Sequence, residues 1–170
     1  MTSFSKLYIR NILKNDPDFT LELQPGALVP SRRYDDSKLK SEGPSESSLS
    51  SHRDAHLHLS LGPKIGCGRI GTVHDVIPLD KSGSPVEWSS LVLPPLVVKI
   101  ASVNRNVELS KEAWFYEQLK DLQNVAIARC YGFFQTALRP EHVKHIAQWK
   151  DGHGITPSPS PQRFHTGASA

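Results

Sequence analysis

Leu57-His58-Leu59-Ser60-Leu61, then Gly66-Cys67-Gly68-Arg69-Ile70-Gly71, then Thr72-Val73-His74-Asp75-Val76-Ile77: these three runs decide the fold. In the first, leucine recurs at every second residue, which puts all three leucines on one side of a strand. The third is β-branched at Thr72, Val73, Val76 and Ile77 and reads as a second strand. The glycines between them supply a turn, so the whole is a hairpin. This order disfavours a dinucleotide-binding Rossmann unit, in which a G-x-G-x-x-G run opens a helix instead of continuing as strand, and leaves a nucleotide-dependent oxidoreductase as a distant third reading.

Working outward, residues 80–95 form a loop rich in Ser, Pro and Gly, and Leu96-Val97-Val98-Lys99-Ile100 is a third strand introduced by Pro94 and Pro95. Period-two alternation places Leu96, Val98 and Ile100 on one face and Val97 with Lys99 on the other. A helix is expected over residues 107–123 and a fourth strand over 126–134. With Leu109 set at 0° and 100° per residue, Leu122, Phe115, Leu119 and Tyr116 fall at roughly 220° to 340°, an apolar arc expected to face the core. Glu112 falls inside that arc at roughly 300°. A carboxylate in an apolar stripe must be paired or protonated, and the cation offered by the preceding strand is Lys99. Glu117 falls outside the arc, as an exposed carboxylate would, and Trp114 does not fit the arc.

The flanks read differently. In residues 1–30, Phe4, Leu7, Tyr8, Ile12 and Leu13 have helical spacing with Lys6, Arg10 and Lys14 between them, so a short amphipathic surface helix is the expectation, with a mitochondrial presequence as the rarer alternative. Phe19-Thr20-Leu21-Glu22-Leu23 alternates like a half-buried strand. Residues 31–51 hold eight serines and only three apolar side chains, too few to offset the entropy of ordering, and the linker is drawn over 31–55. Residues 137–170 form an irregular tail rich in histidine and proline, in which Thr156-Pro157-Ser158-Pro159-Ser160-Pro161 favours extended backbone and disorder. The patterned unit is therefore 56–136, and the fold class expected is α+β, a small antiparallel sheet with one packed helix between disordered segments.

Net charge is +3, with 38% hydrophobic and 22% charged residues, the balance of a soluble chain and too mild a surplus to indicate nucleic acid. No apolar run approaches the roughly 18 residues of a membrane span, and residues 1–15 do not resemble a secretory signal. Cys67 and Cys130 form neither a C-x-x-C pair nor a disulfide framework, which indicates free thiols in a reducing, cytoplasmic or nuclear, compartment. His142 and His145 have the i, i+3 spacing that can share a metal, but no cysteine or patterned acid accompanies them, and no metal site is assigned.

Taken together, Gly66 to Val73 as G-x-G-x-x-G-x-V, Leu96-Val97-Val98-Lys99, and Glu112 on the following helix resemble the amino-terminal lobe of a protein kinase. The run Lys111-Glu112-Ala113-Trp114-Phe115-Tyr116-Glu117-Gln118-Leu119, with Arg129-Cys130-Tyr131-Gly132-Phe133 after it, is similar to kinase-like proteins common in fungi. The resemblance implies that Gly66, Gly68 and Gly71 cover the phosphates of ATP and that Lys99 holds its α- and β-phosphates. It further implies that Glu112 orients Lys99 and that Val73 and Val97 pack on adenine. A kinase also needs a His-Arg-Asp loop and a metal-binding Asp-Phe-Gly downstream, and neither follows Phe134. His52-Arg53-Asp54 precedes the glycine loop and is read as chance, and Asp151-Gly152-His153 lacks the aromatic. No catalytic residue is assigned, ATP binding is expected to be weak, and magnesium is not expected without the missing lobe. The rival expectation is a noncatalytic module that binds another protein through its exposed underside.

Overall fold

The computed structural model describes residues 4–31, 55–91, 93–143, 145–146 and 163–169, the last stretch as backbone alone. The strands are β1 (Lys6–Arg10), β2 (Leu21–Pro25), β3 (His56–Cys67), β4 (Gly71–Leu79), β5 (Val97–Ala101), β6 (Cys130–Ala137) and β7 (Arg163–Ser169). Helix α1 (Asn106–Gln118) and the single turn α2 (Pro140–Val143) complete an α+β fold. The strands pair in the order β1-β2-β6-β7-β5-β4-β3, and a parallel β1–β3 ladder closes the ring. Every other pair is antiparallel.

The interior is built by period-two alternation. Leu57, Leu59 and Leu61 point inward from β3, Leu96, Val98 and Ile100 from β5 and the residue before it, and Leu7 with Ile9 from β1. Leu7, Ile9, Leu59, Leu96 and Val98 are wholly buried, and each such aliphatic side chain stabilises by about 1.5–3 kcal/mol. The hairpin is longer than its sequence suggests. Its register shifts between Leu61 and Lys64 and again between Lys64 and Gly66, so bulges bend β3 just ahead of the glycines.

Four expectations are corrected. Residues 6–10 are not a helix but strand β1, because Lys6-Leu7-Tyr8-Ile9-Arg10 also alternates, and closing the ring buries Leu7 and Ile9 completely while a surface helix would not. The tail is not irregular throughout, since Arg163–Ser169 pairs with both β5 and β6 and fills the gap between them. Helix α1 ends at Gln118, short of residue 123, where Leu119 caps it and Lys120–Leu122 tightens into a 3-10 turn. The fourth strand of the patterned unit starts later than expected, at Cys130. The serine-rich stretch lies outside the described residues apart from its ends, as do His52-Arg53-Asp54, Asp151-Gly152-His153 and the Thr156 to Pro161 run.

Candidate functional site

Across the outer face of the ring, the register aligns Gly66 of β3 with Val73 of β4, Val73 with Lys99 of β5, and Lys99 with Gly167 of β7. At the usual strand spacing, Gly66 and Lys99 are roughly 10 Å apart along this row. Val97 lies two residues before Lys99 and therefore on the same face, opposite Asp75. His74, one residue from Val73, takes the inner face beside Val98.

The glycine turn is tight. Gly68 donates its amide to the Gly71 carbonyl at 2.9 Å, so that N–H closes the hairpin. A Cβ on Gly71 would lie 2.0 Å from the Ile100 carbonyl oxygen, because Gly71 sits directly opposite Ala101 where β4 approaches β5. Gly68 has open space at its Cβ position, and Gly66 has only the Val73 side chain at 3.9 Å. Only Gly71 is therefore demanded by packing, while the faces of Gly66 and Gly68 are open toward solvent. Ile70 at the turn accepts an amide from Ser102 at 2.9 Å, tying the loop to the end of β5.

Lys99 and Glu112 meet. The Lys99 ammonium donates to both carboxylate oxygens of Glu112, each at 2.6 Å, with the two side chains 24% and 28% exposed. Desolvation is partial for both groups, which favours pairing without the full penalty of a buried ion. The Glu112 charge also acts on Tyr116, whose hydroxyl is pushed to a higher pKa chiefly by burial and then by that carboxylate.

The structure overturns the apolar arc expected to face the core. The side of α1 that packs on the sheet carries Leu109, Ser110, Ala113 and Trp114, at roughly 0° to 140°, and includes the tryptophan that did not fit. Phe115, Leu119 and Leu122 are 37%, 41% and 45% exposed. Glu112 therefore lies at the margin of the packed face, close enough to β5 for Lys99 to reach it. The arc misled because α1 is bordered by apolar residues on two sides, and tertiary packing selected the side with small Ala113 and Ser110, which allow close approach.

Several further residues shape the site. Gln123 is 8% exposed and bridges two elements, donating to the Tyr116 carbonyl at 2.7 Å and accepting the Cys130 amide at 2.9 Å. Leu28, Ala101, Leu109, Trp114 and Phe133 form a second core beneath the helix, with Ile70 of the glycine turn packed against it. The Cys130 thiol is pushed up to about 11 by burial, while Cys67 on the turn is exposed. His142 packs its ring on Phe19 at 4.5 Å. Among the described residues no three His, Cys, Asp or Glu side chains gather as they would around a metal ion, and no helix is long and apolar enough to cross a membrane. No signal in local sequence marks Ser110, Leu28 or Gln123, because their partners are set by the fold.

Comparison with known protein families, with curated proteins and with solved structures finds no match to this chain.

Proposed function

We propose that the chain is a protein-kinase-like amino-terminal lobe that binds the phosphate end of ATP weakly, its catalytic lobe not being represented in this sequence. The observation that carries the reading is the ion pair of Lys99 with both oxygens of Glu112, on the face shared by Val73 and Val97 and reached from the Gly66 to Gly71 turn. In kinases a strand lysine paired to a helix glutamate is the arrangement that holds the α- and β-phosphates. The Lys99 side chain stays 24% exposed in the pair, and its ammonium keeps a third donor hydrogen that a phosphate oxygen would take. The Gly68 amide closes the turn, so phosphate binding rests chiefly on Lys99 and on the open faces of Gly66 and Gly68. Adenine would meet Val73 and Val97 with Asp75 beside them, a polar neighbour that gives little selectivity for the base.

The test is amide NMR titration of the full chain with ATP, GTP and pyrophosphate, beside Lys99→Met. Affinity is expected on the order of millimolar, about 4 kcal/mol, similar for the three ligands and lost in the variant. Shifts absent from Gly66, Gly68, Val73 and Lys99 at saturating ligand would sink the reading.

A second reading, a protein-binding module, is favoured by one observation. Phe115, Leu119, Leu122 and Val125, the last 82% exposed, leave apolar surface along α1 and the turn after it. The two readings separate on nucleotide affinity. Free thiols at Cys67 and Cys130 suit a cytoplasmic or nuclear setting for either.

A further inference from the structure

Ser110 is a hydroxyl residue in the middle of α1 with only 3% of its surface exposed. A buried hydroxyl needs partners, and in a helix it commonly turns back on its own carbonyls. Here its partners lie more than 80 residues upstream. Ser110 Oγ donates to the Ala27 carbonyl at 3.0 Å and accepts the Val29 amide at 2.9 Å, so one hydroxyl satisfies both backbone groups flanking Leu28.

Leu28 itself is 2% exposed and enters the core beneath the helix. That core takes Leu109, Ala113 and Trp114 from the helix of Glu112, Ala101 from the strand of Lys99, and contact from Ile70 of the glycine turn. Gly26 anchors the same segment at its base, donating its amide to the Phe133 carbonyl at 2.8 Å, next to the Pro25–Phe134 register of β2 and β6. Residues 26–29 thus form a strap against α1 whose core neighbours come from the helix of Glu112, the strand of Lys99 and the glycine turn.

We infer that this strap sets the position of α1 and thereby holds Glu112 within reach of Lys99, with Ser110 and Leu28 as positioning residues. Ser110 and Glu112 are two residues apart on one rigid helix, on roughly opposite sides at 100° and 300°, so any shift of the Ser110 side is passed to Glu112. The α1 N-terminus has no side-chain cap of its own, since Arg105 makes no capping bond there. The strap supplies hold that the helix lacks locally. The inference rests on the Lys99–Glu112 site being the functional one, but its test needs no nucleotide, so failure of nucleotide binding and failure of the strap are read separately.

The experiment measures the acetylation rate of Lys99 by mass spectrometry on the full chain, with hydrogen exchange of the α1 amides alongside. An amine held by both carboxylate oxygens reacts only after the pair opens, and Glu112→Gln gives the rate with the carboxylate gone. Ser110→Ala leaves the Val29 amide without its acceptor and is expected to speed α1 exchange about tenfold. It should also bring Lys99 acetylation at least halfway to the Glu112→Gln rate. Leu28→Val, a milder change that keeps the backbone bonds, should move both in the same direction and covers the case in which Ser110→Ala does not fold. Ile9→Val, a comparable loss in the other core, should leave Lys99 at the wild-type rate. Faster α1 exchange with unchanged Lys99 acetylation would overturn the inference, as would an equal rise in Ile9→Val. It would also fall if Glu112→Gln itself left Lys99 unchanged.

Discussion

Removing one partner of the Lys99–Glu112 pair should destabilise the fold by an amount fixed by its half-buried geometry. Two unit charges 4 Å apart attract by about 4 kcal/mol at an effective dielectric of 20, and the 2.6 Å bidentate contact is closer than that. Both groups lost part of their hydration to meet, and side chains 24% and 28% exposed remain open to screening, which removes most of the gain. Exposed pairs couple by about 0.2–1 kcal/mol, and truncating one side of a fully buried pair costs about 3–5 kcal/mol. A coupling of about 1–2 kcal/mol lies between these limits. The assay is a double-mutant cycle with Lys99→Met, Glu112→Gln and the double variant, each unfolded in urea. Each single change should lower stability, and the double variant should lose less than the sum. In 1 M salt, where the Debye length shrinks to about 3 Å, the coupling should weaken but persist, because contact at 2.6 Å lies inside that length. Effects that add to within about 0.3 kcal/mol would refute the pair as an interacting unit.

Gly71→Ala should destabilise by about 1–3 kcal/mol, because its methyl would meet the Ile100 carbonyl, while Gly68→Ala, opening on empty space, should be close to neutral in urea unfolding. His74 is held neutral chiefly by burial, opposed by its hydrogen bond to the Gly62 carbonyl and aided by the charge of Lys64. Its folded pKa is thus below 6.5, the unfolded chain binds the extra proton, and stability should fall as pH drops below 6.5 and stay level above it. His74→Gln should shrink that slope in urea midpoints measured from pH 7.5 to 5.5, leaving the contribution of His58, which burial and neighbouring cations shift the same way. With its thiol pushed up to about 11, Cys130 is only about one-thousandth thiolate at pH 8, so peptide mapping after iodoacetamide treatment should find Cys67 alkylated first. On the proposed reading the chain should transfer no phosphoryl group in a radiolabelled-ATP assay with magnesium or manganese, since a lysine and a glycine turn alone would hold ground state and transition state alike. Turnover lost in Lys99→Met would contradict this.

Which parts of this molecule can be read from its sequence depends on how far each residue's partner lies along the chain. Leu96, Val98 and Ile100 were legible because alternation is a local property, and all three are at most 1% exposed. The hairpin was legible because its turn joins neighbouring strands. Residues 6–10 were not, since Phe4, Leu7, Tyr8, Ile12 and Leu13 follow a helical period while Leu7 and Ile9 in the same stretch follow an extended one, and only pairing with Leu57 and Leu59, some 50 positions later, decides between them. Arg163–Ser169 was hidden for a related reason. A short stretch whose second half is Thr166-Gly167-Ala168-Ser169 has little strand preference of its own and acquires a place from two neighbours already in the sheet.

The ion pair shows how a correct contact can follow from a wrong premise, and what decides between the two. Placing Glu112 in an apolar stripe pointed to Lys99, yet Phe115 and Leu119 of that stripe are more than one-third exposed. What brings the carboxylate to the ammonium is the packing of the other flank, where Ala113 and Ser110 allow close approach and the Ala27 to Val29 backbone bonds the Ser110 hydroxyl. A helical wheel ranks faces by hydrophobicity, whereas the sheet selects the face by shape and by hydrogen-bond demand. In α1 the buried side holds a serine and the exposed side a phenylalanine, so the two criteria disagree, and the serine's two backbone partners settle which side is inward.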